Sequence, residues 1–146
     1  MEAKDDDVTA AQDIPDVGPH EGRELELMLA GTKPLAMFIE VLPAEAGLIP
    51  EAAFAPHVRS GRLVMREIIT PASGVPDCPE GLSVRHVLYA LPEEAWRIEA
   101  MLLVCGVAAS IRRWDEGLER VTGKLLGYED WQIDAFLRKV LPKTGA

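Results

Sequence analysis

The stretch that decides the fold is Val84-Arg85-His86-Val87-Leu88-Tyr89-Ala90-Leu91-Pro92-Glu93-Glu94, which runs on through Trp96 into a long apolar segment. Up to Leu91 the apolar period is two. Val84, His86, Leu88 and Ala90 share one face, and Arg85, Val87, Tyr89 and Leu91 share the other, as in a strand. At Pro92 the pattern changes. A proline followed by two acids suits the first turn of a helix, where the missing N–H costs nothing and the carboxylates face the positive end of the dipole. The helix is expected to continue to about Arg113, with Arg112 and Arg113 at its negative end. Ala100 to Ala109 is apolar on every side, which predicts the central helix of the domain.

Upstream, Leu63 to Ile69 alternates in the same way, with Leu63, Met65, Glu67 and Ile69 opposite Val64, Arg66 and Ile68. The Pro/Gly-rich segment 71–82 separates it from the strand at 84–91, and the two are expected to pair antiparallel. Pro34 to Leu42 is nearly continuous apolar sequence and reads as a central strand covered on both faces. Arg23 to Ala30 has helical spacing closed by Gly31, and Pro50 to Val58 suits a short helix. Downstream, Asp115 is placed to cap a helix ending at Gly127. Tyr128 to Leu141 carries a stripe of Ile133, Phe136, Leu137, Val140 and Leu141, stopped by Pro142.

The resulting order, α-β-α-β-β-α-α-α, predicts an α+β fold: a small three-stranded, at least partly antiparallel sheet backed by helices, with a C-terminal three-helix segment. The chain of 146 residues suits one domain, expected at 22–141. Residues 1–21 are expected to be an acidic, mobile tail, and 142–146 a C-terminal tail.

Charge restricts the partners. The net charge is −9, and residues 1–22 hold seven acids (Glu2, Asp5, Asp6, Asp7, Asp13, Asp16, Glu21) against Lys4 alone. Six of the nine excess negative charges thus belong to the tail. Nucleic acid and anionic membrane surfaces are disfavoured, because both demand basic surface. The helix pair around Gly127 does not read DNA, since Glu129, Asp130 and Asp134 would face phosphates. The start of the chain lacks the basic and apolar pattern of a secretory signal, the longest apolar run is too short to span a bilayer, and Cys78 and Cys105 occupy unlike settings. The expected location is the cytoplasm. Leu141-Pro142-Lys143-Thr144-Gly145 matches a wall-sorting pattern, but only Ala146 follows it, so a chance match is expected.

The sequence has no phosphate loop, Cys-x-x-Cys, His-Glu-x-x-His or Gly-x-Ser-x-Gly. Gly31-Thr32-Lys33 lacks the rest of a phosphate loop. His20, His57 and His86 are far apart, Asp5-Asp6-Asp7 lacks the spacing of a calcium loop, and neither a metal nor a cofactor is expected. The strongest polar cluster is on the hairpin. Glu67 and His86 are the candidate catalytic pair if they share a face, and Arg66 and Arg85 are candidate anion ligands on the other face. Alternating polar positions on a half-exposed sheet explain the same residues without function. Cys105 reads as a packing cysteine. Trp96, Arg97, Arg113 and Trp114 are candidate partner-binding residues, being of the types that dominate interface energetics. Trp96, Trp114 and Trp131 all lie at predicted helix starts or between helices, where one edge is buried and the N–H stays wet.

With no catalytic signature, the leading expectation is a non-catalytic cytoplasmic protein that binds another protein, as a regulator, inhibitor or immunity-type protein. One alternative is a small enzyme or a small-molecule or anion binder using Arg66, Glu67, Arg85 and His86. Another is an accessory subunit of an enzyme complex. Self-association is compatible with each.

Overall fold

A computed structural model describes residues 20, 22–43, 49–71, 81–111, 113 and 115–140. The expected tails, Cys78, Arg112, Trp114, the 72–80 part of the hairpin loop and the Leu141–Gly145 pattern lie outside these residues. The described elements are α1 (Glu24–Leu29), β1 (Leu35–Leu42), α2 (Glu51–Arg59), β2 (Val64–Pro71), β3 (Ser83–Ala90), a 3₁₀ turn (Pro92–Glu94), α3 (Trp96–Ile111), α4 (Glu116–Leu126) and α5 (Asp130–Val140). The fold is α+β, in the element order predicted.

The sheet is three-stranded and antiparallel in the order β1-β3-β2. The β2–β3 pairing is the one expected. The central strand is β3, however, and β1 is an edge, with Ile39 and Val41 exposed. An unbroken apolar run marks a strand with two apolar faces, but it does not require a neighbour on each side.

Each sheet face carries its own core. On the first, Ala36, Val87 and Tyr89 meet Met28 of α1, Phe54 of α2 and Leu63. Phe54 stacks on Tyr89 at 4.1 Å between ring centroids, and Phe38 meets both rings edge-on, the geometries that ring quadrupoles favour. On the second face, Leu35, Leu88 and Ala90 pack against Ile98 and Met101 of α3 and Leu125 of α4.

Local chemistry sets the helix ends. The Asp115 carboxylate accepts from the Leu118 N–H at 3.0 Å, capping α4 as its sequence suggests. Gly127 closes α4 at φ 94°, and the close approach of the Pro34 ring leaves no room there for a Cβ. The carbonyls at this end meet two cations. Lys33, only 2% exposed, donates from Nζ to the Leu126 carbonyl at 2.6 Å, and Arg97 donates to the carbonyls of Lys124 and Leu125. Cations there satisfy orphan acceptors and oppose the helix dipole.

The helix expected at the centre of the domain is not central. In α3, Ile98 and Met101 are buried, whereas Leu103 is 70% exposed and Val107 and Ile111 are also open. A helix that is apolar all round is read as buried, but here the sheet covers one side only.

Candidate functional site

The hairpin cluster resolves into two unlike halves. β3 pairs Val87 with Glu67 and His86 with Ile68. Directly paired residues share a face, so Glu67 lies with Arg85 and His86 with Arg66. This reverses the expected grouping of Glu67 with His86 and of Arg66 with Arg85. Two strands separated by this many residues in sequence do not have their register dictated as a tight turn would dictate it.

On the first face, Arg85 is a structural hub. Its Nη1 donates to Glu40 at 2.8 Å and also to Glu51, and its Nε donates to Glu67. Glu40 is its direct cross-strand neighbour, and Glu51 comes from the first turn of α2. These bonds raise the Arg85 pKa, and the bond from Arg85 holds the Glu51 carboxyl below its ordinary range. Three carboxylates thus engage Nε and Nη1 of the guanidinium and already balance the charge that would attract an anion. On the opposite face, Arg66 pairs with Glu99 of α3, so the two arginines do not form an anion clamp.

His86 faces a different environment. With its cross-strand partners Ile39 and Ile68 it forms one row of the second sheet face. That row, with Met37 and Thr70, floors an open cleft of about 600 Å³ walled by α3 and by Thr122 of α4. The cleft follows from side-chain size. The first half of α3 fills the sheet with Ile98, Met101 and Leu102, whereas the second half offers Cys105, Gly106, Ala108 and Ala109, which are too short to reach it. Cys105 is therefore half-buried on the wall of the cleft rather than enclosed, with its thiol pKa raised by burial. Burial also lowers the His86 pKa, favouring the uncharged imidazole. The Thr122 hydroxyl is buried and has no hydrogen-bond partner among the described residues.

The outer side of α3 supplies the second feature. Trp96 (57% exposed), Leu103, Val107 and Ile111 are the exposed large apolar residues of the helix. At 100° per residue they fall on one stripe along its 16 residues. Trp96, one of the candidate partner residues read from the sequence, is thus exposed. Leu103, Val107 and Ile111 were expected to be buried, because an apolar helix with no polar side reads as a core helix. Arg97 turns inward: it lies over the Trp96 ring at 4.8 Å, pairs with Glu94 at 2.8 Å and caps α4. Arg113 pairs with Asp115 at 3.3 Å.

Among the described residues, no group of three His, Cys, Asp or Glu side chains is placed to hold a metal ion, and no helix is long and apolar enough to cross a membrane. Comparison with known proteins finds no matching family model, no matching curated protein and no matching solved structure.

Proposed function

We propose that this chain is a non-catalytic binding protein whose partner is another protein, and that the outer face of α3 is its contact surface. The observation that carries the reading is the stripe Trp96–Leu103–Val107–Ile111, a row of large apolar side chains left in water along one helix. Isolated exposed apolar residues are ordinary; a continuous row is the usual mark of an interface. A straight stripe beside small residues, Ala100 and Ser110, suits an amphipathic helix of the partner laid lengthwise. The acidic segment 1–21 offers a second contact to a basic part of the same partner. The unpaired thiol of Cys105 accords with a cytoplasmic location.

The rival use of Arg66, Glu67, Arg85 and His86 as one catalytic or anion-binding site has less support, since these residues lie on opposite sheet faces and both arginines are already paired. An accessory-subunit role would use the same stripe and differ only in the partner's identity.

Co-purification of the tagged chain from its source cells, beside a Leu103→Glu/Val107→Glu variant, tests the reading. The expected result is one saturable, stoichiometric partner for the native chain and at least about a tenfold loss of affinity for a variant with unchanged circular dichroism. Equal retention by the folded variant contradicts it.

A further inference from the structure

We infer that the cleft between the sheet and the second half of α3 is a binding site for a neutral, largely apolar small molecule carrying one hydrogen-bonding oxygen, such as a medium-chain alcohol or ketone. This is separate from the docking stripe: the cleft lies beneath α3, and the stripe runs along its outside.

Three observations carry the assignment. The first is shape. A volume of about 600 Å³ lies within the range of small-molecule sites, and it exists because α3 places Cys105, Gly106 and Ala109 where larger side chains would close the sheet. A Cβ built on Gly106 meets nothing within 4 Å. The second is polarity. Met37, Ile39, Ile68 and Leu102 make the surface apolar, and among the described residues no charged side chain lines it. A carboxylate or ammonium would lose water there without gaining a counter-charge. Arg66, the cation nearest in register on this face, is engaged by Glu99. The third is the hydrogen-bonding capacity of the lining. His86 and Thr70 lie on the cleft floor, and an imidazole and a threonine hydroxyl can each donate to or accept from a ligand oxygen.

The test uses the full chain and the neutral fluorophore N-phenyl-1-naphthylamine. Its fluorescence is expected to rise saturably at one site per chain. 1-Decanol is expected to displace it at a concentration at least about tenfold lower than decanoate at neutral pH, reflecting the charge penalty. Ala109→Phe fills the cleft and is expected to weaken the fluorophore about tenfold or more with the fold intact. Thr70→Val keeps the shape and is expected to weaken decanol about threefold, the worth of one hydrogen bond. Should Ala109→Phe not fold, alkylation of Cys105 by N-ethylmaleimide in a Cys78→Ser background gives the same answer, with protection by decanol expected. Non-saturable fluorescence, equal displacement by decanoate, a folded Ala109→Phe that binds as before, or Cys105 alkylated at the same rate with and without decanol would overturn the assignment. Fluorescence lost in Leu103→Glu but kept in Ala109→Phe would also overturn it, by placing the probe on the outer stripe. The docking proposal would survive that result.

Discussion

Arg85 and Glu40 are directly paired on neighbouring strands, and the guanidinium donates to the carboxylate at 2.8 Å with both side chains largely removed from water, 13% and 9% exposed. With Glu51 and Glu67 on the same guanidinium, this pair ties β1, β2, β3 and α2 together through one cation. Arg85→Met leaves Glu40 without its partner and is expected to cost about 3 kcal/mol in urea unfolding, the usual penalty for breaking a buried pair. Glu40→Gln keeps an acceptor and is expected to cost about 1 kcal/mol. Equal costs would mean that the pair is not the tie described. Glu51 titrates below its ordinary value, so its contribution is present above the unfolded pKa and is lost on acidification through the folded one.

Lys33 carries a second pH dependence, of opposite origin. Burial lowers its pKa from 10.5 to about 8, so the folded chain binds fewer protons than the unfolded one between those values. Stability is therefore expected to rise with pH across that window. His20, stacked on Tyr128 and accepting from Lys33 at Nδ1, is lowered to about 4 by burial and by the charges of Lys33 and Arg23. Its contribution is complete above 6.5 and is lost as pH falls toward 4. Unfolding curves of Lys33→Met across the alkaline window are expected to lack the rise shown by the native chain; a rise of the same size in both would remove Lys33 as its source.

Two glycines in helical surroundings are expected to respond oppositely to alanine. Gly106 is inside α3 with open space at its Cβ position, so Gly106→Ala should stabilise by about 0.5–1 kcal/mol through helix propensity. Gly127 has φ 94°, and a Cβ there would stand 2.6 Å from Cδ of Pro34. Gly127→Ala should cost at least about 2 kcal/mol, from the left-handed backbone and the clash together. Thermal midpoints of the two variants measure both signs at once.

Local signals announced most of the fold, and non-local ones set the site. Alternation at Leu63–Ile69 and Val84–Leu91, Asp115 and Gly127 each declare an element through chemistry within a few residues, and each falls within about two residues of where its sequence places it, whereas Pro92-Glu93-Glu94, expected to open the long helix, forms a 3₁₀ turn before α3 starts at Trp96. Register and strand order depend on which faces find partners across the chain, so the grouping of Glu67 with Arg85 and the edge position of β1 were not legible. The same limit explains α3. Its composition shows that no side is polar, but only the sheet's width decides that Met101 is covered while Leu103 is not. The cleft was hidden for a related reason: Cys105, Gly106 and Ala109 read as packing residues until His86 and Thr122 are seen opposite them.

Photo-crosslinking from the outer stripe tests the central claim most directly. With p-benzoylphenylalanine at position 103, and at the exposed position 139 on α5 as control, irradiation in the source cells is expected to give one discrete adduct from 103 alone. That adduct should be lost when Val107→Glu is added, and mass spectrometry should place the crosslink on a helix of another protein. No adduct at 103, or the same adducts from 103 and 139, would contradict the account; an adduct joining two copies of this chain would replace the separate partner with self-association.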